Sequence, residues 1–225
     1  MRKKDHAKYN RIIDAATKIF AKKGFYKAKV AEIAKEALEA KLDPLTCINK
    51  ALMPGIQKVG ELFSSGEYFL PELIIGADAM KSALEILEPA LVGGQKRDIV
   101  GMVVLGTVEG DLHEIGKTLV GTMLTANGFK VVDIGVDQSA EAFLSAIKEH
   151  EADIVGASAL LTTTMLQQKK LVEVLDSAGL KDKVKVMVGG APVTDRYAQE
   201  IGANGYAEDA ISAVDIAFRL MDAPV

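Results

Sequence analysis

Residues 98–128, DIVGMVVLGTVEGDLHEIGKTLVGTMLTANG, contain the clearest indication of the fold. The first part, Asp98–Leu105, is a continuous apolar run with glycine, which is typical of a strand buried on both faces of a parallel sheet. A polar loop follows, and a helical pattern then continues to Asn127-Gly128. The stretch therefore predicts one β–α unit.

The same rhythm of strand and helix repeats to the end of the chain. Further strands are predicted at 130–134, 153–157, 183–188 and 204–207, each followed by a helix, at 139–150, 164–178, 194–201 and 208–221. Five such units predict a doubly wound parallel sheet with right-handed crossovers. We expect the flavodoxin-like, Rossmann-like order 2-1-3-4-5, in which ligands bind over the carboxyl ends of the strands near strands 1 and 3.

The preceding residues contain helical patterns and no strand pattern. Apolar residues recur at helical spacing in 12–20 and 30–38, and two longer stripes follow. Asp43-Pro44 is a helix start, and Pro54 predicts a kink or break near 53–54. We therefore predict an α + α/β protein, with these domain boundaries: an N-terminal helical bundle at 1–90, a linker at 91–97 and an α/β domain at 98–225.

Composition narrows the kinds of site that the chain can hold. Its 225 residues include one cysteine, three histidines (His6, His113 and His150) and no tryptophan. A single Cys47 excludes a disulfide framework and a multi-cysteine zinc site, and scattered histidines cannot form a His-rich centre. Any metal would come with a cofactor or use mostly carboxylates. No apolar run approaches the roughly 18 residues of a membrane span, and no signal peptide is evident, so we expect a cytoplasmic protein.

Charge is unevenly distributed along the chain. Residues 1–41 carry 12 basic against 5 acidic side chains, whereas the remainder carries 15 basic against 26 acidic ones. A basic arm of this kind can bind nucleic acid, and it can equally be the solvated face of a helix.

The loop after the first predicted strand, Gly106–Thr118, allows two interpretations. Its Gly-Lys-Thr resembles a phosphate-binding loop, but that loop needs four residues between its glycines, and Gly110 and Gly116 are separated by five. Alternatively, His113 can bind a metal through one ring nitrogen while Asp111 holds the proton of the other. A helix-capping aspartate beside a surface histidine remains the simpler reading of that pair.

Two further loops end at the same edge of the predicted sheet. Ser158–Met165 follows the third strand with a cluster of hydroxyl residues, and Gly189–Pro192 follows the fourth with bare backbone. The first could be a capping run for the next helix and the second a tight turn. Together with the His113 loop, they predict a slot for an extended polar ligand.

Three motifs in these loops resemble a known family. Residues 110–116 (GDLHEIG), 158–160 (SAL) and 189–190 (GG) match the Asp-x-His-x-x-Gly, Ser-x-Leu and Gly-Gly signature of cobalamin-binding domains, such as the cobalamin module of methionine synthase. Residues 66–73 (GEYFLPEL) resemble the helical cap of such proteins, so the resemblance covers about 35–220. The chain most resembles the small corrinoid proteins of methyltransferase systems for methylamines, methanol and aryl methyl ethers (O-demethylases).

The resemblance implies a corrinoid cofactor, cobalamin or a relative, and a role for individual residues. His113 would be the axial cobalt ligand and the only protein metal ligand, Asp111 would accept its other N–H, and Thr164 would continue that chain. Gly116 would lie against the corrin. Further residues would line the slot for the cofactor's tail: Ser158, Leu160, Thr162, Gly189 and Gly190. Tyr206 and Ala207 would close its far end. Phe63, Leu70 and Leu73 would contact the upper face of the cofactor, although a place in the core of the helical bundle is the alternative for them.

The resemblance also implies a methyl carrier of anaerobic one-carbon metabolism. Cobalt(I) would accept a methyl group from a substrate:corrinoid methyltransferase, and a methylcorrinoid:acceptor methyltransferase would remove it. A reductive activation protein would be a third partner. We expect neither a membrane nor nucleic acid as a partner, and no catalytic residue in this chain, so that the enzyme activity belongs to the methyltransferase system.

A second hypothesis comes from the basic N-terminus. Residues 9–37 resemble the opening of a TetR-type repressor, which would make the chain a cobalamin-sensing transcriptional regulator. After Ala37, however, the chain continues as LEAKLDP, so the recognition helix is missing. Cobalamin photoreceptors use a tryptophan in their cap, which is absent, and an adenosylcobalamin mutase subunit is less consistent with the helical cap.

Overall fold

The protein is described here from a computed structural model that covers residues 27–91 and 99–222. The chain divides into two compact units, Met1–Asp98 and Ile99–Val225. The predicted helix at 12–20, most of the repressor-like segment and all but the first residue of the predicted linker at 91–97 lie outside the described residues.

All the regular secondary structure among the described residues of the first unit is helical, which confirms the predicted N-terminal helical part. The longest helix, α4, packs against α1 and α3 and buries Leu73, Met80 and Leu87. The elements are α1 at Lys27–Glu39, α2 at Pro44–Cys47, a π-helical turn at Ile48–Leu52, α3 at Met53–Ser64, α4 at Leu70–Leu87 and a 3-10 turn at Glu88–Ala90.

The kink or break that we predicted near Pro54 is a π-helical turn at Ile48–Leu52, just before the proline. Asp43 caps α2 as predicted, accepting a hydrogen bond of 2.9 Å from the Thr46 N–H. The chain then continues into α3 without a break, and the Met53 N–H donates to the Ile48 carbonyl five residues earlier. Proline disturbs the hydrogen bonding of the preceding turn, and a local π turn is one way in which a helix accommodates this disturbance.

The second unit is a five-stranded parallel sheet in the order β2-β1-β3-β4-β5, which confirms the predicted fold class and strand order. The strands are β1 at Met102–Thr107, β2 at Lys130–Asp133, β3 at Ile154–Ser158, β4 at Lys185–Gly189 and β5 at Gly205–Ala207. The helices are α5 at Ile115–Ala126, α6 at Ala140–His150, α7 at Met165–Ser177, α8 at Asp195–Ile201 and α9 at Ala210–Leu220.

The first strand begins and ends later than its apolar run suggested. Met102 is the first residue with a partner in the ladder, Lys130, whereas the preceding Ile99 is 55% exposed. A residue belongs to a strand only where a neighbouring strand pairs with it, so hydrophobicity alone misplaced both ends.

Helices cover both faces of the sheet. On one face, α6, α7 and α8 bury a cluster that includes Phe143 and Leu171 against β1, β3 and β4. On the other, α5 packs against α9, and the rings of Phe129 and Phe218 meet edge to face at 5.2 Å. Within residues 27–91 and 99–222, no helix is both long and apolar enough to cross a membrane.

Candidate functional site

The carboxyl ends of four neighbouring strands form one row. Thr107, Ser158, Gly189 and Ala207 are consecutive register partners on β1, β3, β4 and β5. The loops after β1, β3 and β4 therefore begin side by side, at the edge where ligands bind in sheets of this order.

Asp111 is the buried centre of this edge. Its Oδ1 lies 2.7 Å from His113 Nδ1 and accepts the His113 backbone N–H at 3.1 Å. Its Oδ2 accepts the N–H groups of Leu160 at 2.7 Å and Leu161 at 3.3 Å, and the Thr164 hydroxyl lies 2.8 Å away. One carboxylate thus joins the loop after β1 to the loop after β3.

This hydrogen bonding defines which ring nitrogen of His113 is available. Burial alone would raise the pKa of Asp111, but the bonds from His113, the Leu160 N–H and Thr164 outweigh it and hold that pKa well below its usual range. An ionised carboxylate can only accept, so the proton between the two side chains belongs to Nδ1. In the neutral imidazole Nε2 is then the nitrogen with the lone pair, on a side chain that is 53% exposed.

The side chains of Asp111 and Thr164 do not cap helices, although capping was the simpler explanation of both residues. The capping position of α5 belongs to Glu114, so Asp111 lies outside that helix. Thr164 does occupy the capping position of α7, but its side chain makes no capping bond. Its hydroxyl lies instead within reach of Asp111 and of the Leu161 carbonyl, at 2.9 Å from the latter.

Lys117, which suggested a phosphate-binding loop, is used differently. Its side chain is only 2% exposed and forms an ion pair with Asp133 at the end of β2. Asp133 Oδ1 also accepts the Gly135 N–H at 2.9 Å. The lysine therefore ties the first turn of α5 to β2 and does not face the loop.

The residues predicted for the tail slot lie along the ends of β3 and β4. Leu160 and Thr162 are exposed on the loop after β3, and Gly189 ends β4. Gly190 has a φ of 127°, and a Cβ placed there would lie 1.8 Å from the Ala159 carbonyl oxygen. Only glycine permits both this backbone conformation and this close approach of two loops.

Gln168 is a residue of this edge that sequence reasoning missed. It is fully buried on α7, and its Nε2 donates to the Ala157 carbonyl at 2.8 Å and the Gly189 carbonyl at 3.1 Å, so it connects β3 to β4. Its Oε1 is buried without a hydrogen-bond partner. Its position four residues after Thr164, on the same face of α7, is the signal that could have identified it.

Large apolar side chains are exposed around His113, where the sequence had suggested a polar slot. Leu112 and Ile115 are 71% and 78% exposed, and Leu161 is 43% exposed. Next to them, a Cβ added to Gly116 would meet no atom within 4 Å. A group of exposed apolar side chains beside open backbone marks a binding surface.

The remaining predicted residues are divided between the two units. Ala207 pairs with Gly189 and is buried, and Tyr206 is half-buried against the core of the second unit. In the helical unit, Phe63 is half-buried, Leu70 is 44% exposed and Leu73 is fully buried. Leu73 therefore belongs to the core of its own unit. The sequence missed other exposed apolar residues of that unit: Phe69, Ile74 and Ile75.

Comparison with known proteins assigns the family. Two families described as "B12 binding domain" match residues 101–215 and 24–88. A corrinoid protein of Desulfitobacterium hafniense is 47% identical over 194 residues, which are 85% of this chain and 90% of that protein. Trimethylamine corrinoid protein 2 of Methanosarcina mazei is 45% identical over 82% of this chain and 85% of its own length.

A solved structure supports the same assignment. The methanol:cobalamin methyltransferase complex MtaBC from Methanosarcina barkeri contains a chain with a TM-score of 0.83 and 33% identity, over 96% of this chain and 81% of that one. None of these three relatives is named as a transcriptional regulator, so the regulator hypothesis gains no support from them.

The residues of the edge suit the cofactor that this family implies. A corrin ring supplies four nitrogens to its cobalt, so one histidine suffices as protein ligand. His113 offers Nε2 with the tautomer set by Asp111, and the exposed Leu112 and Ile115 and the open backbone at Gly116 leave room for a broad ring. The chain therefore belongs to the B12-binding corrinoid proteins, and its cofactor is cobalamin or a related corrinoid.

Proposed function

We propose that this chain is the methyl-carrying corrinoid protein of a methyltransferase system, in which His113 would be the protein ligand of the cofactor's cobalt. The observation that carries the proposal is the bond of 2.7 Å between His113 Nδ1 and the buried Asp111, which leaves Nε2 available at the sheet edge. The relatives support a place in a methyltransferase system, because they are corrinoid proteins and a chain of a methanol:cobalamin methyltransferase complex.

The protein's part in this function is to hold one nitrogen ligand in a defined protonation state. When bound, the corrinoid supplies a cobalt that accepts and gives up a methyl group. Asp111 keeps the His113 proton on Nδ1, and Thr164 and the Leu160 N–H keep the Asp111 carboxylate in place. Because a hydrogen-bonded carboxylate raises the basicity of its histidine, this chain strengthens Nε2 as a ligand.

We propose further that the ends of β3 and β4 receive the nucleotide tail of the corrinoid. Gly189 and Gly190 present backbone without side chains there, and Leu160 and Thr162 are exposed beside them. Tyr206 and Ala207 would close the far end of the slot. In the helical unit, the half-buried Phe63 and the exposed Leu70 are the proposed contacts of the corrinoid.

Three partner proteins complete the proposal. A substrate:corrinoid methyltransferase delivers the methyl group, a methylcorrinoid:acceptor methyltransferase removes it, and a reductive activation protein restores the methyl-accepting state. The similarity to a chain of the methanol:cobalamin methyltransferase complex of Methanosarcina barkeri supports the first of these. The methyl donor is then chosen by the partner enzyme.

The ligand assignment is tested with His113→Ala loaded with cobinamide, a corrinoid that lacks the nucleotide tail and so has no nitrogen base of its own. The variant should bind corrinoid but give a visible spectrum different from that of the unsubstituted protein, because the axial nitrogen is gone. His150→Ala is the control, since this histidine lies in the last turn of α6. An unchanged spectrum in His113→Ala would show that His113 is not the ligand.

The carrier role is tested by following a labelled methyl group. The corrinoid-loaded protein is mixed with the methyltransferase that co-purifies with it and with isotopically labelled trimethylamine, dimethylamine, monomethylamine or methanol in turn. With one donor, the label should remain with the protein and leave only when the acceptor enzyme is added. Equal transfer to the acceptor when this chain is omitted would contradict the role.

A further inference from the structure

Asp137, on the loop between β2 and α6, forms hydrogen bonds with the backbone of two consecutive residues of the His113 loop, Gly110 and Asp111. Its Oδ1 accepts the Gly110 N–H at 2.7 Å. Its own N–H donates to the Asp111 carbonyl at 3.0 Å. Asp137 therefore holds the backbone of the residue whose carboxylate orients His113.

The backbone conformation of Asp137 indicates that the hydrogen bond of its side chain is important. Asp137 has a φ of 54°, in the left-handed region, where glycine is conformationally preferred. Two residues earlier the same loop does use glycine, since Gly135 has a φ of 93°. An exposed aspartate at such a position gains its advantage from the hydrogen bond that its carboxylate accepts, which glycine cannot make.

The rest of this loop runs alongside the end of β1. The Thr107 N–H donates to the Gly135 carbonyl at 3.0 Å, and the Gln138 N–H donates to the Thr107 carbonyl at 2.9 Å. The hydroxyl of the fully buried Thr107 donates in turn to the His113 carbonyl at 2.9 Å. The His113 loop is thus held at Gly110, at Asp111 and at His113 itself.

We propose that Asp137 is a positioning residue for the cobalt ligand: it fixes the Asp111 backbone and thereby the direction in which His113 presents Nε2. The role of Asp137 rests on the proposed function of His113. It adds the loop between β2 and α6 to the two loops that already hold His113 in position. Metal ligands depend on the groups that orient them, and a shift of well under 1 Å in such groups weakens a site.

Three variants and a matched control separate this role from general stability. Asp137→Gly keeps the left-handed backbone and removes only the acceptor, whereas Asp137→Asn keeps an acceptor at the same reach and tolerates the conformation. Glu151→Gly is the control, because Glu151 is also exposed, acidic and left-handed, with a φ of 51°, but follows α6 at the opposite edge of the sheet. Asp137→Ser, whose side chain is too short for the bond, replaces Asp137→Gly if that variant does not fold.

The readout is the axial ligand itself. Each full-length variant is produced with ¹⁵N-labelled histidine, loaded with hydroxocobalamin and reduced to cobalt(II), and its electron paramagnetic resonance spectrum is recorded. An imidazole ligand from the labelled histidine splits the lines into doublets, whereas the ¹⁴N base of the cofactor's own tail would split them into triplets. In Asp137→Gly the histidine-ligated fraction should fall by at least half, and the Kd for hydroxocobalamin should rise about tenfold, as expected for a lost charged hydrogen bond. Asp137→Asn should restore most of both, and Glu151→Gly should match the unsubstituted protein.

The outcomes separate this proposal from the one on which it rests. An equal fraction of the doublet signal and an equal Kd in Asp137→Gly and the unsubstituted protein would overturn the role of Asp137 alone. A loss of equal size in Glu151→Gly would overturn it too, since the effect would then be general. If the unsubstituted protein shows no doublet from the labelled histidine, the His113 assignment fails, and the role of Asp137 fails with it.

Discussion

The Thr164 hydroxyl lies 2.8 Å from Asp111 Oδ2, although 53 residues separate the two in sequence. Thr164 is buried at the start of α7, and Asp111 is buried in the loop after β1. Their contact joins the loop that carries His113 to the loop proposed for the corrinoid tail. A change in either residue should therefore affect both the stability of the second unit and the ligand that Asp111 orients.

Thr164→Val should destabilise the protein and weaken histidine ligation. The substitution keeps the shape of the side chain but removes a hydroxyl bonded to a buried carboxylate, which is worth about 1.5–3 kcal/mol. Urea unfolding measures the loss, and the visible spectrum of the corrinoid-loaded variant reports ligation.

Two controls accompany Thr164→Val. Thr164→Ser keeps the hydroxyl, so it should lose at most the contribution of one methyl group, about 1 kcal/mol. Thr163→Val alters the exposed neighbour and should change the free energy of unfolding by less than about 0.5 kcal/mol. If Thr164→Val were as stable as Thr163→Val, the bond to Asp111 would have no energetic importance.

Gly190→Ala should be strongly destabilising, because the added Cβ would lie 1.8 Å from the Ala159 carbonyl oxygen, and neither atom can move away without a shift of the backbone. We expect a loss of about 3 kcal/mol or more by urea unfolding. If the variant folds, its affinity for cobalamin should fall more than its affinity for cobinamide, a corrinoid without the nucleotide tail.

Gly179→Ala is the matched control for Gly190→Ala. Gly179 also has a positive φ, 67°, but its Cβ would meet no atom within 4 Å. This variant should lose only the cost of the left-handed conformation, about 1–2 kcal/mol, and should bind both corrinoids normally. Equal losses for cobalamin and cobinamide in Gly190→Ala would argue against a tail slot at this position.

Gln168→Met should loosen the connection between β3 and β4. It leaves the Ala157 and Gly189 carbonyls without the amide that bridges them, at a cost of about 1–3 kcal/mol. Hydrogen exchange of the Ala159 N–H, which donates to the Gly189 carbonyl at 3.1 Å, should become faster. Gln167→Met, at the preceding position on the same helix, should leave that exchange rate unchanged, and an equal effect in both variants would refute the bridging role.

Lys117 and Asp133 should respond unequally to substitution. Lys117→Met replaces a buried cation by an apolar side chain of similar length, and the 40% exposed Asp133 can then be hydrated, so the change should stay within about 1 kcal/mol. Asp133→Ala leaves the buried ammonium without its partner and should cost about 3 kcal/mol. Urea unfolding of the two variants and of the double variant measures the difference, and a larger loss in Lys117→Met would reverse this account.

The fold could be predicted because its signal is local and periodic. The apolar runs that became β2 to β5 alternate with helical stripes, and alternation of this kind permits few arrangements other than the one observed. The ends of β1 were misplaced because pairing with Lys130, and not hydrophobicity, decides where the ladder begins. The π-helical turn was likewise not predicted, since proline signals a disturbance but not the form that the helix gives it.

The site could be predicted only in part. Asp111, His113 and Thr164 were expected to interact, and the structure brings them together. The Leu160 N–H was not expected to bond to Asp111, because a backbone donor leaves no trace in the sequence. Asp137 could have been suspected, since the predicted order places the end of strand 2 beside strand 1.

The class of fold, the family and the residue types of the site could all be inferred from the amino-acid pattern, because hydrophobic periodicity and short motifs are properties of neighbouring residues. The contacts that those residues make became clear only in the folded chain. Folding buried Asp111 beneath donors from two loops, turned Lys117 towards Asp133 and placed Asp137 on the backbone of the His113 loop. These relationships depend on which strand ends lie side by side, and that is a property of the assembled sheet.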